Sequence, residues 1–206
     1  ALTHIKKYFG DIPKGDPVPA RDPAQFIHAD DLNAGKGGVS ERHIVIKEAV
    51  QVPTLILAWQ APTVSGLKLT NHHTADNERE LLALGLFDDV LSGGASGRFA
   101  KNLVKKELVT SVYSSYDSTG YGDGFFMVMA TPKAGVSLDE TKHLVLDEIK
   151  RTMADPIDQK ELDRSMVATK TALVFASEGV SGQADLLGML KNENIPFGKI
   201  QEELAI

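Results

Sequence analysis

The sequence predicts an α+β fold: a two-layer sandwich of a mainly antiparallel sheet with helices packed on one face. Three observations point to it. The elements run strand, strand, helix pair, hairpin, helix pair, helix, an order that groups helices instead of alternating them singly with strands as a doubly wound parallel sheet does. Two strand-like runs are joined by the glycine-rich Gly120-Tyr121-Gly122-Asp123-Gly124, which favours a hairpin. Two helix-start signatures, at Ser137 and Asp158, then follow the hairpin in succession. At 206 residues the chain corresponds to one domain, or to one plus a fragment.

Taken in order, Leu2, Ile5 and Phe9 recur at helical spacing and predict a first helix. Pro13, Gly15, Pro17, Pro19 and Pro23 then break any regular ladder, and Gly35-Lys36-Gly37-Gly38 adds flexibility, so about 10–40 reads as a long surface connection. A strand is expected over Glu41 to Lys47, and a second over Pro53 to Gln60, whose successive apolar positions suit a strand covered on both faces. Asp76-Asn77-Glu78-Arg79-Glu80 places capping residues and acids ahead of Leu81 to Phe87, and Gly93-Gly94 supplies the stop. A shorter helix from Ser96 to about Glu107 should turn Phe99, Leu103 and Val104 inward and leave Arg98, Lys101 and Lys105 facing solvent.

Leu108 to Tyr116 and Phe125 to Thr131 form the hairpin, with Phe125 to Ala130 as a central strand. Ser137-Leu138-Asp139-Glu140 reads as a capping box, in which serine and glutamate each satisfy a free backbone donor, and Val145, Ile149 and Met153 continue its apolar stripe to an end near Asp155-Pro156. Asp158-Gln159-Lys160-Glu161 caps the next helix, with Leu162, Met166, Thr169, Leu173 and Ala176 along one face. Gly179 and Gly182 interrupt before Leu186, Leu187 and Leu190 resume.

The charge balance is 22 − 28 = −6, which disfavours nucleic acid as a partner. No apolar run approaches the roughly 20 residues that span a bilayer. The absence of cysteine removes disulfides, thiolate metal sites and cysteine nucleophiles, and leaves the redox compartment open. The chain starts at Ala1 inside a helical pattern and stops at Ile206 inside another apolar-periodic stretch, so an excised piece of a longer protein is expected.

Chemistry is sparse. The six histidines are His4, His28, His43, His72, His73 and His143. No two are spaced to place imidazoles on one helix face, and the adjacent His72 and His73 diverge in either a strand or a helix. Gly93-Gly94-Ala95-Ser96-Gly97 lacks nucleophile-elbow spacing and reads as helix stop and restart. Gly35-Lys36-Gly37-Gly38 fails the Walker pattern, Gly120-x-Gly122-x-Gly124 lacks the third dinucleotide glycine, and Asp117 and Asp123 do not make a calcium loop. From the residues alone the chain holds no catalytic, substrate-binding or metal-ligating site.

Several segments together resemble the second, non-catalytic domain of the insulinase/pitrilysin-type zinc peptidases, the family that includes mitochondrial processing peptidase. They are Lys7-Tyr8-Phe9-Gly10-Asp11-Ile12-Pro13; Val50-Gln51-Val52-Pro53-Thr54-Leu55, running on to Ala58-Trp59-Gln60-Ala61-Pro62; Leu91 to Phe99; and Ile157-Asp158-Gln159-Lys160-Glu161-Leu162. The resemblance implies one truncated domain over 1–206 of a bacterial peptidase. The zinc and its H-x-x-E-H motif would lie in an N-terminal catalytic domain that precedes this chain. It further implies that the domain forms a chamber wall and dimer scaffold facing that catalytic domain, with a polypeptide substrate between them. It favours a periplasmic location.

Family members commonly lend the active site an arginine and a tyrosine from this domain type, to hold the substrate carbonyl and the oxyanion. An ungapped reading from Ser96-Gly97-Arg98-Phe99 puts Val104 and Ser111 at those positions, with Lys105 and Tyr113 as neighbours that a shift would recruit. The resemblance then implies a homo- or hetero-dimer partner that supplies the missing pair. Two alternatives share the fold: a proteolytically inactive scaffold or assembly subunit, and a peptide-binding module that adds an extended strand at a sheet edge.

Overall fold

The computed structural model describes residues 2–17, 43–47, 49, 52–69, 74–119, 124–192 and 198, in two compact units, Ala1–Lys47 and Glu48–Ile206. In the first unit, α1 (Leu2–Phe9) forms where the spacing predicts it, and Gly10 N–H closes its last turn on the Lys6 carbonyl at 2.9 Å. Leu2, Ile5 and Phe9 are exposed. The strand expected over 41–47 is not present across 43–47, where Ile44, Val45 and Ile46 stand exposed without regular structure. Apolar β-branched residues favour extended backbone, but a strand needs a paired neighbour to satisfy its N–H and C=O groups, and His43 to Lys47 have no ladder partner among the described residues. Residues 10–17 are exposed and irregular, while the rest of the expected 10–40 connection, with His28 and Gly35-Lys36-Gly37-Gly38, lies outside the described residues.

The second unit is built on β1 (Leu55–Ala61), β2 (Val109–Tyr116) and β3 (Gly124–Pro132), all antiparallel in the order β1-β3-β2. The hairpin and the central place of β3 follow the sequence reading. Residues 120–123 of its link, Asp123 among them, fall outside the described set. Leu57 faces Val128 and Trp59 faces Phe126 on one side, and Ser114 faces Val128 on the other. Between Val109 and Ser111 the register slips, and the Thr110 hydroxyl donates to the Pro132 carbonyl at 2.9 Å across the irregularity.

After β1 come a short α2 (Val64–Leu69) and the long α3 (Ala75–Ser92). Thr74 caps α3, its hydroxyl accepting from Asn77 N–H at 3.2 Å, two residues before the predicted start. The stop at Gly93-Gly94 is as predicted: Gly94 has φ +67, which only glycine adopts without strain, and a Cβ on Gly97 would press to 2.6 Å of the Leu91 carbonyl oxygen. A 3₁₀ turn (Gly94–Ser96) leads into a π-turn (Ala100–Val104), closed by Lys105 N–H on the Ala100 carbonyl. The helix expected from Ser96 is thus realised in wider form, and it turns Phe99 and Leu103 fully inward and Val104 partly so.

α4 (Leu138–Ala154) starts at Ser137, whose hydroxyl accepts from Glu140 N–H at 3.1 Å, the serine half of the predicted box. Val145 and Ile149 join the core, but Met153, expected on the same stripe, is exposed beyond the sheet's reach. α5 (Gln159–Ser177) has the full box, with Asp158 and Glu161 each bonding the other's backbone N–H. α6 (Val180–Asn192) begins directly after Gly179 and takes Gly182 into its first turn, so only one of the two predicted interruptions breaks the helix. Its Leu190 is buried and Leu187 exposed. The core lies between the sheet and the helices around Leu91, Phe99, Val109, Val128, Ala130 and Val145, with the Phe126 ring 5.9 Å from that of Phe87 and 6.3 Å from that of Tyr116. This is the α+β arrangement that the order of elements implies.

Candidate functional site

Polar ties hold the helical segments to one another and, at Ser92–Ser114, to the sheet. Arg98 forms a two-pronged bond with Glu161, Nε to Oε1 at 3.1 Å and Nη2 to Oε2 at 2.8 Å, and Nη2 also reaches the Pro156 carbonyl at 3.3 Å. Both side chains are only 12% exposed. Arg98 holds the Glu161 carboxyl below its ordinary range, against the opposing effect of burial. This corrects the expected solvent-facing basic stripe: Lys101 and Lys105 are exposed, but Arg98 is not. Its partner lies 63 residues along the chain, a distance that no local pattern reveals.

Similar ties recur nearby. Asp89 Oδ2 accepts from the Ser165 hydroxyl at 2.6 Å and the Thr169 hydroxyl at 3.3 Å, joining α3 to α5. The face of α5 turned inward therefore carries Glu161 and Ser165, one position away from the predicted Leu162–Met166 stripe. Glu148, buried on α4, accepts from Asn102 at 2.6 Å and Arg151 at 2.9 Å. On the covered side of the sheet, Ser92 and Ser114 share a 2.7 Å hydroxyl bond. Tyr116 donates to the Pro62 carbonyl at 2.7 Å, and burial, reinforced by the Asp117 charge, pushes its hydroxyl up to about 12. These groups are structural in geometry: each is spent on a neighbour within the fold.

Among the described residues of the second unit, the other face of the sheet carries no packed layer. Side chains alternate across a strand, so Ile56, Ala58 and Gln60 of β1, Ser111, Tyr113 and Ser115 of β2, and Phe125, Met127, Met129 and Thr131 of β3 share it. Ile56 is 56% exposed and Phe125 58%, and Tyr113 and Met127 are exposed beside them. Covering on both sides was the expectation for β1; only the side of Leu55 and Leu57 packs on the core. At the Ser111–Thr131 end the face opens into a cavity of about 550 Å³, lined also by Val52, Pro53, Pro132 and Val136. Lys133 borders it with its ammonium 3.0 Å from Glu107 Oε2.

The two positions that the resemblance assigns to arginine and tyrosine diverge. Val104 is half-buried against the core, whereas Ser111 is on the open face at the cavity mouth. Tyr113 does share the face of Ser111, but its hydroxyl contacts Met129 Sδ at 2.9 Å, and Lys105 stands exposed on the π-turn. His4, His43 and His143 are exposed, and His72 and His73 lie outside the described residues. Among the described residues, no three histidines or carboxylates converge to hold a metal, and no helix is long and apolar enough to cross a membrane. Neither the cavity nor the open face was named from sequence. The signal for the face lies in the apolar runs of β1 and β3, of which Pro53 to Gln60 reads as a strand covered on both faces and Phe125 to Ala130 as a central strand.

Comparison with known proteins follows this geometry. A family profile described as the peptidase M16 inactive domain matches residues 1–167. An uncharacterized zinc protease of Rickettsia bellii is 27% identical over 157 residues, which is 76% of this chain and 34% of that protein. A Helicobacter pylori protease of known structure superposes with a TM-score of 0.71 over 98% of this chain and 45% of its own, at 18% identity. A peptidase M16 inactive domain from Pseudomonas fluorescens gives 0.58 over 74% of this chain and 33% of its own, at 22% identity. The chain thus spans about a third of the curated relative that it matches.

Proposed function

We propose, for a chain that belongs to the peptidase M16 inactive-domain family, that it serves as the non-catalytic wall of a zinc endopeptidase chamber. The region 1–206 acts as one such domain, with 10–40 as its surface connection. The zinc, held by H-x-x-E-H, sits on another domain of the parent protein, across the chamber from the open sheet face. Arginine and tyrosine come from a partner subunit.

One observation carries the reading: the sheet face left bare by the helices bears no arginine, and the two positions that the resemblance assigns to the pair are Val104, packed against the core, and Ser111. Ser111 has a short side chain, Val104 packs against the core, and the Tyr113 hydroxyl is turned onto the Met129 thioether. An oxyanion is held best by strong donors already aimed at it, and neither Val104 nor Ser111 supplies the charge of an arginine or the reach of a tyrosine. The face can confine and align a polypeptide, and that is the role of a wall.

The test uses the zinc-loaded parent protein. Alone it is expected to cleave unfolded polypeptides slowly, and a partner that brings the arginine and tyrosine is expected to restore the rate. Full activity of the isolated parent would refute the division of labour. A parent that lacks H-x-x-E-H would instead leave an inactive scaffold subunit of the same fold.

A further inference from the structure

Among the described residues β2 is an edge of the sheet, since the order β1-β3-β2 leaves its outer side without a strand. An edge strand is a template for pairing with another chain, and a lysine, a proline or a bulge usually blunts it. The segment Val109–Tyr116 contains no charged residue and no proline. Its register slip lies at the Val109 end and leaves Val112 to Tyr116 in regular pairing with β3. Over that stretch the strand carries no safeguard of its own.

A turn of α3 meets the strand there. The Ser114 N–H donates to Ser92 Oγ at 2.6 Å, so it points away from β3 and out of the sheet edge. In an antiparallel ladder such outward donors recur at every second residue, which makes Tyr116 the next one. Asp88 lies one turn before Ser92, and its carboxyl sits against the Tyr116 N–H and the Ser114 hydroxyl. The spacings agree, because four helical residues advance about 6 Å and two strand residues about 6.8 Å. Ser92 is held in place by a 2.7 Å bond between its hydroxyl and that of the buried Ser114.

We propose that Ser92 and Asp88 form a lock on the edge of β2, occupying its outward N–H groups so that no further strand pairs there. An incoming strand needs those same two donors, and exchanging one satisfied hydrogen bond for another gains almost nothing. The inference stands apart from the peptidase reading. For a chamber wall it means that a polypeptide is not gripped along β2 by strand addition, and it closes this edge to the peptide-binding alternative.

The experiment is residue-resolved amide hydrogen exchange on the native chain and on the Ser92→Ala/Asp88→Ala double variant. Each is measured dilute and concentrated, with sedimentation velocity on the same samples and circular dichroism as the folding control. In the native chain the Ser114 and Tyr116 amides are expected to be protected at both concentrations. In the dilute variant they should exchange at least about tenfold faster, while Tyr113 and Ser115, whose N–H groups point to β3, keep their rates. In the concentrated variant the two amides should regain protection as freed edges pair, and a dimer should sediment. Ser92→Thr with Asp88→Asn retains both acceptors and should behave as the native chain does. If the double variant does not fold, Ser92→Ala alone carries the test at Ser114. Unchanged exchange at Ser114 in the folded variants overturns the proposal. So does faster exchange without association at high concentration, since the edge is then guarded by something other than these side chains. Neither readout involves cleavage, so an inert parent would defeat the peptidase reading and leave the lock intact.

Discussion

The two faces of β3 are made of nearly the same material and meet opposite fates. Phe126, Val128, Ala130 and Pro132 point toward the helices and are buried, while Phe125 and Met127 on the reverse side are exposed. Hydrophobicity therefore does not decide which side becomes core. What differs is the location of the helical layer, which lies on one side and is held together by Arg98 with Glu161, Asp89 with Ser165 and Thr169, and Asn102 with Glu148. The apolar residues opposite them are free to meet something other than the protein's own core.

The contrast is sharpest in mutation. Phe126→Ala is expected to cost about 4 kcal/mol, because it opens a cavity among Phe87, Tyr116 and Trp59, whereas Met127→Ser one position away should change stability by less than about 0.5 kcal/mol. Urea unfolding of the pair reads both values; equal losses would mean that both faces are packed. Arg98→Ala is next, at about 3 kcal/mol, since it strands a nearly buried carboxylate. A double-mutant cycle with Glu161→Gln should recover a large part of that cost.

Acid should expose the same tie. A carboxyl held low in the folded state contributes stability above its unfolded value, and that stability is lost as pH falls through the folded value. The Glu161 contribution is therefore present at neutral pH and disappears below the ordinary 4.5. In Arg98→Ala the cause of the depression is gone, so this acid-dependent loss is expected to flatten, as pH-dependent melting would report. The smallest effect concerns Asp88, whose carboxyl burial pushes above the ordinary 3.8 and whose Oδ1 lacks a hydrogen-bond partner. A raised carboxyl weakens the fold as pH rises past it, so Asp88→Asn should stabilise by under about 1 kcal/mol at pH 7 and make no difference below about 3.8.

Much of the covered side was legible in the chain because its signals are local. Ser137 and Asp158 start their helices, Gly93-Gly94 stops one, and the hairpin closes as its glycine-rich link implies. What escaped was set by partners distant in sequence. Arg98 reads as a surface cation until Glu161 arrives, Met153 fits a stripe that outruns the sheet, and Ile44 to Ile46 look like a strand without a neighbour to pair them. The open face was hidden for a different reason. A continuous apolar run looks the same whether its second side meets protein or water, and nothing within β3 distinguishes the two.

The Arg98–Glu161 fork spans a segment that contains β2, β3 and α4 in full. Closing so long a loop before its contents pack is entropically costly, so the fork is expected to form late, with a φ-value near zero for Arg98→Ala as the check. Interactions absent from the transition state leave the folding rate almost untouched and act on the rate of escape. Severing the fork therefore shortens the lifetime of the native domain far more than it delays its arrival.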